Sequence, residues 1–423
     1  MANIQPRKNK DGEIISYSIR VHKGRDANGK QLKPYTLTWV VPDGWSKSRI
    51  EKEVQAQAIL FEQKCKEGTV ADNKQTFEKY ASYVLDLKER TGIKHRTIVR
   101  YKELLERINP AIGHIKLSDL RPQHLNAFYE QLAQDGMNKK TGKKLSNKTI
   151  IEHHRLIRTI LVQAEKEMLV IFNSASKATP PKLERKEASH FEIEDIENIL
   201  LYLQNEPLKW QVAMQLLILT GCRRGEIMGL KWNRIDFKNN QIKIDTNLLY
   251  AKDRGIYEDT PKTEQSKRVI NVPSELIDLL RAYKKQYNEY KISLGSKWHN
   301  TNFLFTQENG NPMHPDTLTD YCNEFGKKYN KKINIENKDK KEAEKLKLLP
   351  HINPHAFRHT QASLLIFAGK DISTISKRLG HAKQSTTTDI YSHLMEKADE
   401  TASDALADLF LRPKNNEEKT IKN

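Results

Sequence analysis

Apolar positions change period along this chain, and the changes divide it. Up to about residue 45 the period is two. Tyr17, Ile19 and Val21 alternate with polar neighbours, as do Tyr35, Leu37 and Trp39, with Asn28-Gly29 in the turn between them. Ile50, Val54, Ala58, Phe61 and Cys65 then recur at helical spacing. Residues 1–68 are therefore expected to form a small three-stranded sheet closed by one helix. Lys66 to Lys74 is polar and contains Gly68, as a linker would. Four helical stripes follow within 74–175: Phe77, Tyr80, Val84 and Leu87; Ile98, Tyr101, Leu104, Leu105 and Ile108; Leu125, Phe128, Tyr129 and Leu132; and Ile150, His154, Ile157, Ile160 and Leu161. Four amphipathic helices of this length predict a compact bundle.

Residues 176–190 contain Pro180-Pro181 followed by charge, which predicts a second linker. From Phe191 to about 411 the pattern is mixed. A helix carries Trp210, Met214 and Leu217. Ile242 and Ile244, then Val269, Ile270 and Val272, predict short strands. Phe357, Leu364, Leu365 and Ala368 make a stripe suited to a core, and Leu394, Ala398, Ala405, Leu406, Leu409 and Phe410 predict a last amphipathic helix. Lys327 to Lys347 holds nine lysines among few apolar residues and is expected to be an exposed, solvated insertion. Residues 412–423 form a polar tail. The fold class expected is multidomain α+β, with a mainly helical C-terminal domain carrying a small antiparallel sheet.

At 423 residues the chain is long enough for two or three domains. Its 72 Lys and Arg against 54 Asp and Glu leave a formal charge of +18, spread along the chain rather than gathered in a tail. That distribution points to a polyanionic partner over a long footprint. Cys65, Cys222 and Cys322 lie far apart, which suggests neither a disulfide framework nor a metal site and suits a reducing cytoplasm. The first residues are polar and basic with no apolar run behind them, so no secretory signal is expected, and no apolar stretch approaches the ~20 residues of a membrane span.

The chemistry concentrates between Asn353 and Tyr391. Asn353 and Pro354 are a helix start, and His355, Arg358 and His359 then share one helical face. Gly369 ends that helix, Asp371 can cap another through Leu379, and Gly380 ends it just before His381. A guanidinium fork matches a phosphate, imidazoles can donate to its oxygens or move protons, and a tyrosine hydroxyl can be a nucleophile. Attack of Tyr391 on a phosphodiester is the natural combination. Asp371 to Tyr391 also scans as a helix-turn-helix, which leaves a DNA-reading role for that half alone.

The motifs H-A-F-R-H from His355, L-G-H ending at His381 and T-T-D-I-Y at Tyr391 together resemble the tyrosine recombinase (phage integrase) family. Thr220-Gly221-Cys222-Arg223-Arg224-Gly225-Glu226 resembles the family's first arginine motif, with Arg223 favoured over its neighbour Arg224 and Glu226 as its salt-bridge partner. Lys262 resembles the lysine the family carries on a β-hairpin turn, with Lys267 as its competitor. The resemblance implies a site-specific DNA recombinase. Tyr391 would be the nucleophile, Arg223 and Arg358 the phosphate clamp, His355 the base, Lys262 the acid, His381 a phosphate donor and His359 a support. It implies no metal and no cofactor. It also implies that residues 1–68 are an arm-type DNA-binding domain using Arg20, Lys23, Arg25, Lys30 and Lys33. The bundle would be a core-binding, SAM-like domain using Arg96, Arg100 and Lys148. The partners implied are double-stranded DNA, three further copies in a tetramer, and an excision factor or host DNA-bending protein. A non-catalytic DNA-binding regulator and a type IB topoisomerase are the rival readings.

Overall fold

The computed structural model describes residues 2–25, 28–66, 75–183, 190–259, 267–338, 340–341 and 344–380. Lys262, His381, Tyr391, the expected last helix and the polar tail lie outside the described residues. The chain divides into two compact units, Met1–Arg185 and Lys186–Asn423.

In the first unit, β1 (Asn3–Lys8), β2 (Ile14–Val21) and β3 (Tyr35–Val40) form an antiparallel sheet with β2 central. The register sets Ile19 opposite Leu37 and Val21 opposite Tyr35, so the alternation read from the sequence becomes one apolar face. The helix α1 (Lys47–Lys66) covers that face with Val54, Ala58 and Phe61. The opposite face is polar, because Ser18 is paired with Gln5 and Thr38, and Arg20 with Asn3 and Thr36.

The bundle of the same unit contains α2 (Phe77–Arg90), α3 (His95–Ile108), α4 (Pro122–Leu132) and α5 (Asn147–Lys166). Pro122 stands at the first position of α4, and the Ser146 side chain caps α5 by accepting from the Thr149 amide. Phe77, Tyr80, Val84, Ile108, Leu125, Leu132, Ile157 and Ile160 meet in one core. One stripe position differs from expectation. His153, not His154, turns fully inward, its Nδ1 lying 2.8 Å from the Thr149 carbonyl, whereas His154 pairs at 2.8 Å with the Tyr129 hydroxyl. Two adjacent histidines on a helix offer periodicity no way to choose between them. The chain after α5 is tied back to the bundle, with the Thr179 amide donating to Asn126 and the Asn147 amide group to the Lys182 carbonyl.

The second unit is built around α7 (Leu208–Thr220), which follows α6 (Ile193–Leu203) and is apolar almost all round. Val212, Ala213, Met214, Leu216 and Leu217 are all buried. After the single-turn α8 (Arg224–Met228) come β4 (Ile235–Asp236), β5 (Gln241–Ile244), β6 (Asn247–Ala251), β7 (Gly255–Asp259) and β8 (Arg268–Asn271). The strands β4, β5 and β8 make one antiparallel sheet with Ile242 opposite Ile270, and β6 and β7 form a separate hairpin. The long helices α9 (Ser274–Leu294) and α10 (Thr317–Glu336) complete the core. Trp210 stacks on Tyr321 with ring centres 4.1 Å apart.

Two expectations are corrected here. Lys327 to Glu336 is not a solvated loop but the second half of α10, with Tyr329 and Ile333 buried. The side chains of Asn330, within it, and Asn337, just after it, accept the backbone amides of Leu349 and Leu346. Two apolar anchors per helical repeat suffice to seat a lysine-rich helix, because lysine stems cover surface while their heads remain in water. In α11 (Pro354–Phe367) the buried apolar positions include Ala356, Phe357, Ala362 and Ile366, while Leu364 and, just past the helix, Ala368 are exposed. Buried Thr360, Gln361 and Ser363, which donate to backbone carbonyls, shift the packed face away from the purely apolar stripe.

Candidate active site

Two helix endings and two helix beginnings make the site. The first ending is that of α7, where Gly221 takes a left-handed φ of 59°, open to glycine without strain. The Thr220 hydroxyl donates back to the Leu216 carbonyl and accepts the Cys222 amide, so the turn is closed before α8 begins. Arg223 then caps α8. Its amide donates to Glu226 Oε2 at 3.0 Å, and its Nη1 donates to Glu226 Oε1 at 2.8 Å. The second beginning is that of α11, where Asn353 Oδ1 accepts the His355 and Ala356 amides at 3.0 Å each. The second ending is that of α12 (Ile372–Leu379), capped by Asp371 through the Thr374 amide at 2.9 Å and closed by Gly380 at φ 66°.

Arg358 joins the two endings. It is only 2 % exposed, and it donates through Nη1 to the Gly221 carbonyl at 2.9 Å and through Nη2 to the Leu379 carbonyl at 2.6 Å. A helix C-terminus carries unpaired carbonyls and partial negative charge, so it can accept a buried cation. Arg223 reaches the next carbonyl of the same turn, Gly380, through Nη2 at 3.4 Å. The two guanidiniums therefore meet at consecutive carbonyls, and neither sequence position could have shown that. Arg224 is directed elsewhere, to the Thr319 hydroxyl at 3.1 Å and to Asp316, which leaves Arg223 alone at the site.

Electrostatics follow from this crowding. Burial lowers the Arg358 pKa, and the adjacent Arg223 charge lowers it further, to about 10. Burial by itself would raise Glu226, which is 4 % exposed, but Arg268 and Arg223 together hold it down at about 2. His355 is exposed on the first turn of α11, and partial desolvation, then Arg358 and Arg223, hold it below the ordinary imidazole value. His359 meets it edge to face at 4.7 Å and is driven to about 4 by desolvation, His355, Arg358 and His190. Two cations, a neutral imidazole and a fixed carboxylate behind them form a wall suited to a phosphate.

Three site residues escaped the sequence reading. Arg268 enters from β8, with Nε on the Arg378 carbonyl at 2.7 Å and Nη2 on Glu226 Oε2 at 2.8 Å and Cys222 Sγ at 3.2 Å. Gln361 donates to the Leu219 carbonyl at 2.6 Å. Cys222 is buried against Arg268. One signal was available: Arg268 lies two residues before Ile270 and so on the inward face of its strand, where an unpaired arginine would be costly.

The DNA-contact candidates of the first unit fall into two groups. Arg20 lies on the polar sheet face, while Lys30, Lys33, Arg96 and Lys148 are exposed. Lys23 lies over the Tyr35 ring at 4.0 Å, and Arg25 donates to the Gly29 carbonyl at 3.0 Å. Arg100 is already engaged, by Glu103 at 3.0 Å and Glu152 at 2.6 Å. Among the described residues no cluster of His, Cys, Asp and Glu is placed to hold a metal ion, and no helix is long and apolar enough to cross a membrane.

The sequence model of the phage integrase family matches residues 189–398, and that of the phage integrase N-terminal SAM-like domain matches residues 76–133. A tyrosine recombinase XerC-like protein of Caldanaerobacter subterraneus subsp. tengcongensis is 27% identical over 93% of this chain and 96% of its own length. The ICEBs1 integrase of Bacillus subtilis is 28% identical over 63% of this chain and 67% of its own. Among solved structures, the Tn1549 transposon integrase in complex with transposon right end DNA superposes with a TM-score of 0.62 at 23% identity, covering 79% of this chain and all of that one. At that identity the likeness speaks for a shared fold.

Proposed function

This chain belongs to the phage integrase family and is a tyrosine-type site-specific DNA recombinase, and within that reaction we propose that Tyr391 is its nucleophile. The tyrosine oxygen bonds to a backbone phosphorus while the bond from phosphorus to the 5′ oxygen breaks, leaving a 3′-phosphotyrosyl link and a free 5′ hydroxyl. His355 takes the tyrosine proton, for which a neutral imidazole is needed. Lys262 gives a proton to the departing oxygen; Lys267, the competing candidate, is the alternative donor. Arg223 and Arg358 hold the two non-bridging oxygens as charge grows on them, with His381 donating a further hydrogen bond. His359 and Glu226 support that wall. The reverse attack by a new 5′ hydroxyl reseals the strand with no outside energy source, since the phosphotyrosyl bond preserves the one that was cut.

The observation that carries this reading is the convergence of Arg223 and Arg358 on the consecutive carbonyls of Leu379 and Gly380. Two adjacent guanidiniums repel, and an anion bound between them relieves that repulsion. Residues 1–68 serve as the arm-type DNA-binding domain, 74–175 as the core-binding domain and 191–411 as the catalytic domain, joined by the 176–190 linker. The substrate is duplex DNA with core-type and arm-type sites. Four copies assemble on two duplexes in a bacterial cytoplasm, with an excision factor or a bending protein as accessory. Relatives named as an ICEBs1 integrase and as the transposase of Tn916 support a mobile element as the object of integration and excision.

The test is incubation with a nicked suicide duplex bearing the attachment core, read on a denaturing gel. A DNA-linked protein band is expected, absent in Tyr391→Phe. Binding without any adduct would instead favour a DNA-binding regulator, and relaxation of supercoiled plasmid lacking the core would favour a topoisomerase.

A further inference from the structure

We propose that Arg268 is a positioning residue for the cleavage reaction, holding Glu226 and through it the phosphate-clamping Arg223 while fixing the last turn of α12. This rests on the recombinase reading above. Two of its guanidinium nitrogens are committed: Nε to the Arg378 carbonyl at 2.7 Å, and Nη2 to Glu226 Oε2 at 2.8 Å and to Cys222 Sγ at 3.2 Å. Its side chain is 6 % exposed, and these donors are turned to protein acceptors. Glu226 has two oxygens and three donors: Oε1 takes Arg223 Nη1, while Oε2 takes both the Arg223 amide and Arg268. Arg268 thus decides where Oε2 sits, and Oε1 follows rigidly at the other end of the same carboxylate.

The same residue supports the other clamp. Arg378, Leu379 and Gly380 are consecutive, and their carbonyls accept from Arg268, Arg358 and Arg223 in that order. A Cβ built on Gly380 would lie 2.8 Å from Arg268 Nη1, so the arginine runs directly beneath the turn. Losing Arg268 removes one of two cations from a buried carboxylate and one of three anchors from the turn on which both guanidiniums converge. A displacement of about 1 Å in a positioning group can cost about a hundredfold in rate.

The experiment measures single-turnover cleavage by the full chain on two suicide duplexes. One carries an ordinary scissile phosphate. The other carries a methylphosphonate, in which a neutral methyl replaces one non-bridging oxygen, prepared as both diastereomers. Arg268→Gln should cleave the phosphate roughly a hundredfold more slowly than wild type while binding core DNA normally. On one methylphosphonate diastereomer the gap should shrink at least tenfold, in parallel with Arg223→Ala, because less charge then needs a guanidinium. A general weakening of the fold would slow both substrates alike. Should Arg268→Gln be unstable, the double variant Arg268→Gln/Glu226→Gln removes both buried charges, restores the melting temperature and keeps the phosphate-specific defect. Wild-type cleavage rates in Arg268→Gln, or a defect of equal size on phosphate and on both methylphosphonates, overturns the assignment. No adduct from wild-type protein overturns the recombinase reading, and this inference with it.

Discussion

His355 and His359 lie one turn apart on α11 with their rings edge to face, and both are held neutral at pH 7. For the base role proposed for His355 this is a requirement. Cleavage should be sustained at neutral pH and fall as pH drops through its depressed pKa, below the ordinary 6.5. A single-turnover pH profile checks this; in His355→Asn the acid limb should vanish with a loss of about 10²-fold or more at pH 7. For His359 the consequence is stability. Its pKa is about 4 folded against about 6.5 unfolded, so its contribution is complete above the unfolded value and is lost as pH falls from there toward 4. Urea melts across that window should show a shallower pH dependence in His359→Gln than in wild type. These imidazoles were legible as candidates because their spacing put them on one face. Their neutrality was not, since it depends on Arg358 and Arg223 arriving from elsewhere in the fold.

At the scale of elements, the site depends on where helices stop. Gly369 and Gly380 end α11 and α12 with nearly the same backbone, φ 68° and 66°. An alanine at either costs about 1–2 kcal/mol in backbone strain. Their surroundings separate them: nothing lies within 4 Å of a Cβ at Gly369, whereas at Gly380 Arg268 stands in the way. Both Gly369→Ala and Gly380→Ala should therefore lower the melting temperature, Gly380→Ala by more, and only Gly380→Ala should depress cleavage, by tenfold or more on the scale of a displaced positioning group. Calorimetry and the suicide-duplex assay on the same preparations decide it. The helices and their caps at Asn353 and Asp371 were legible from local sequence. The β6–β7 hairpin was not, for its Leu248 and Ala251 are too short a pattern to stand out from loop. The lysine-rich half of α10 was misread because composition outweighed the few buried positions, Tyr329 and Ile333, that decide its state.

Over the whole molecule the charge excess makes DNA affinity a matter of salt. Binding should weaken linearly in a log–log plot against salt concentration, with a slope near 0.9 per phosphate neutralised. Lys148→Ala should reduce that slope by about 1, since the lysine is exposed at the start of α5. Arg100→Ala should change it less, because Glu103 and Glu152 already occupy that guanidinium. Fluorescence anisotropy titrations at several salt concentrations separate the two.

The sequence by itself determined the class of chemistry, through residue types at fixed spacing, and the local elements, through periodicity and caps, because both are encoded within a few turns of chain. It also assigned Arg223 its nearest partner, Glu226, three residues away. Only the tertiary structure decided that Arg358 would bind the ends of two helices, that Arg223 would reach the Gly380 carbonyl beside it, and that Arg268 would stand behind both. Those contacts join residues 21 to 157 positions apart. A buried guanidinium goes wherever packing leaves unpaired carbonyls and a carboxylate, and that place exists only once α7, α8, β8, α11 and α12 have come together.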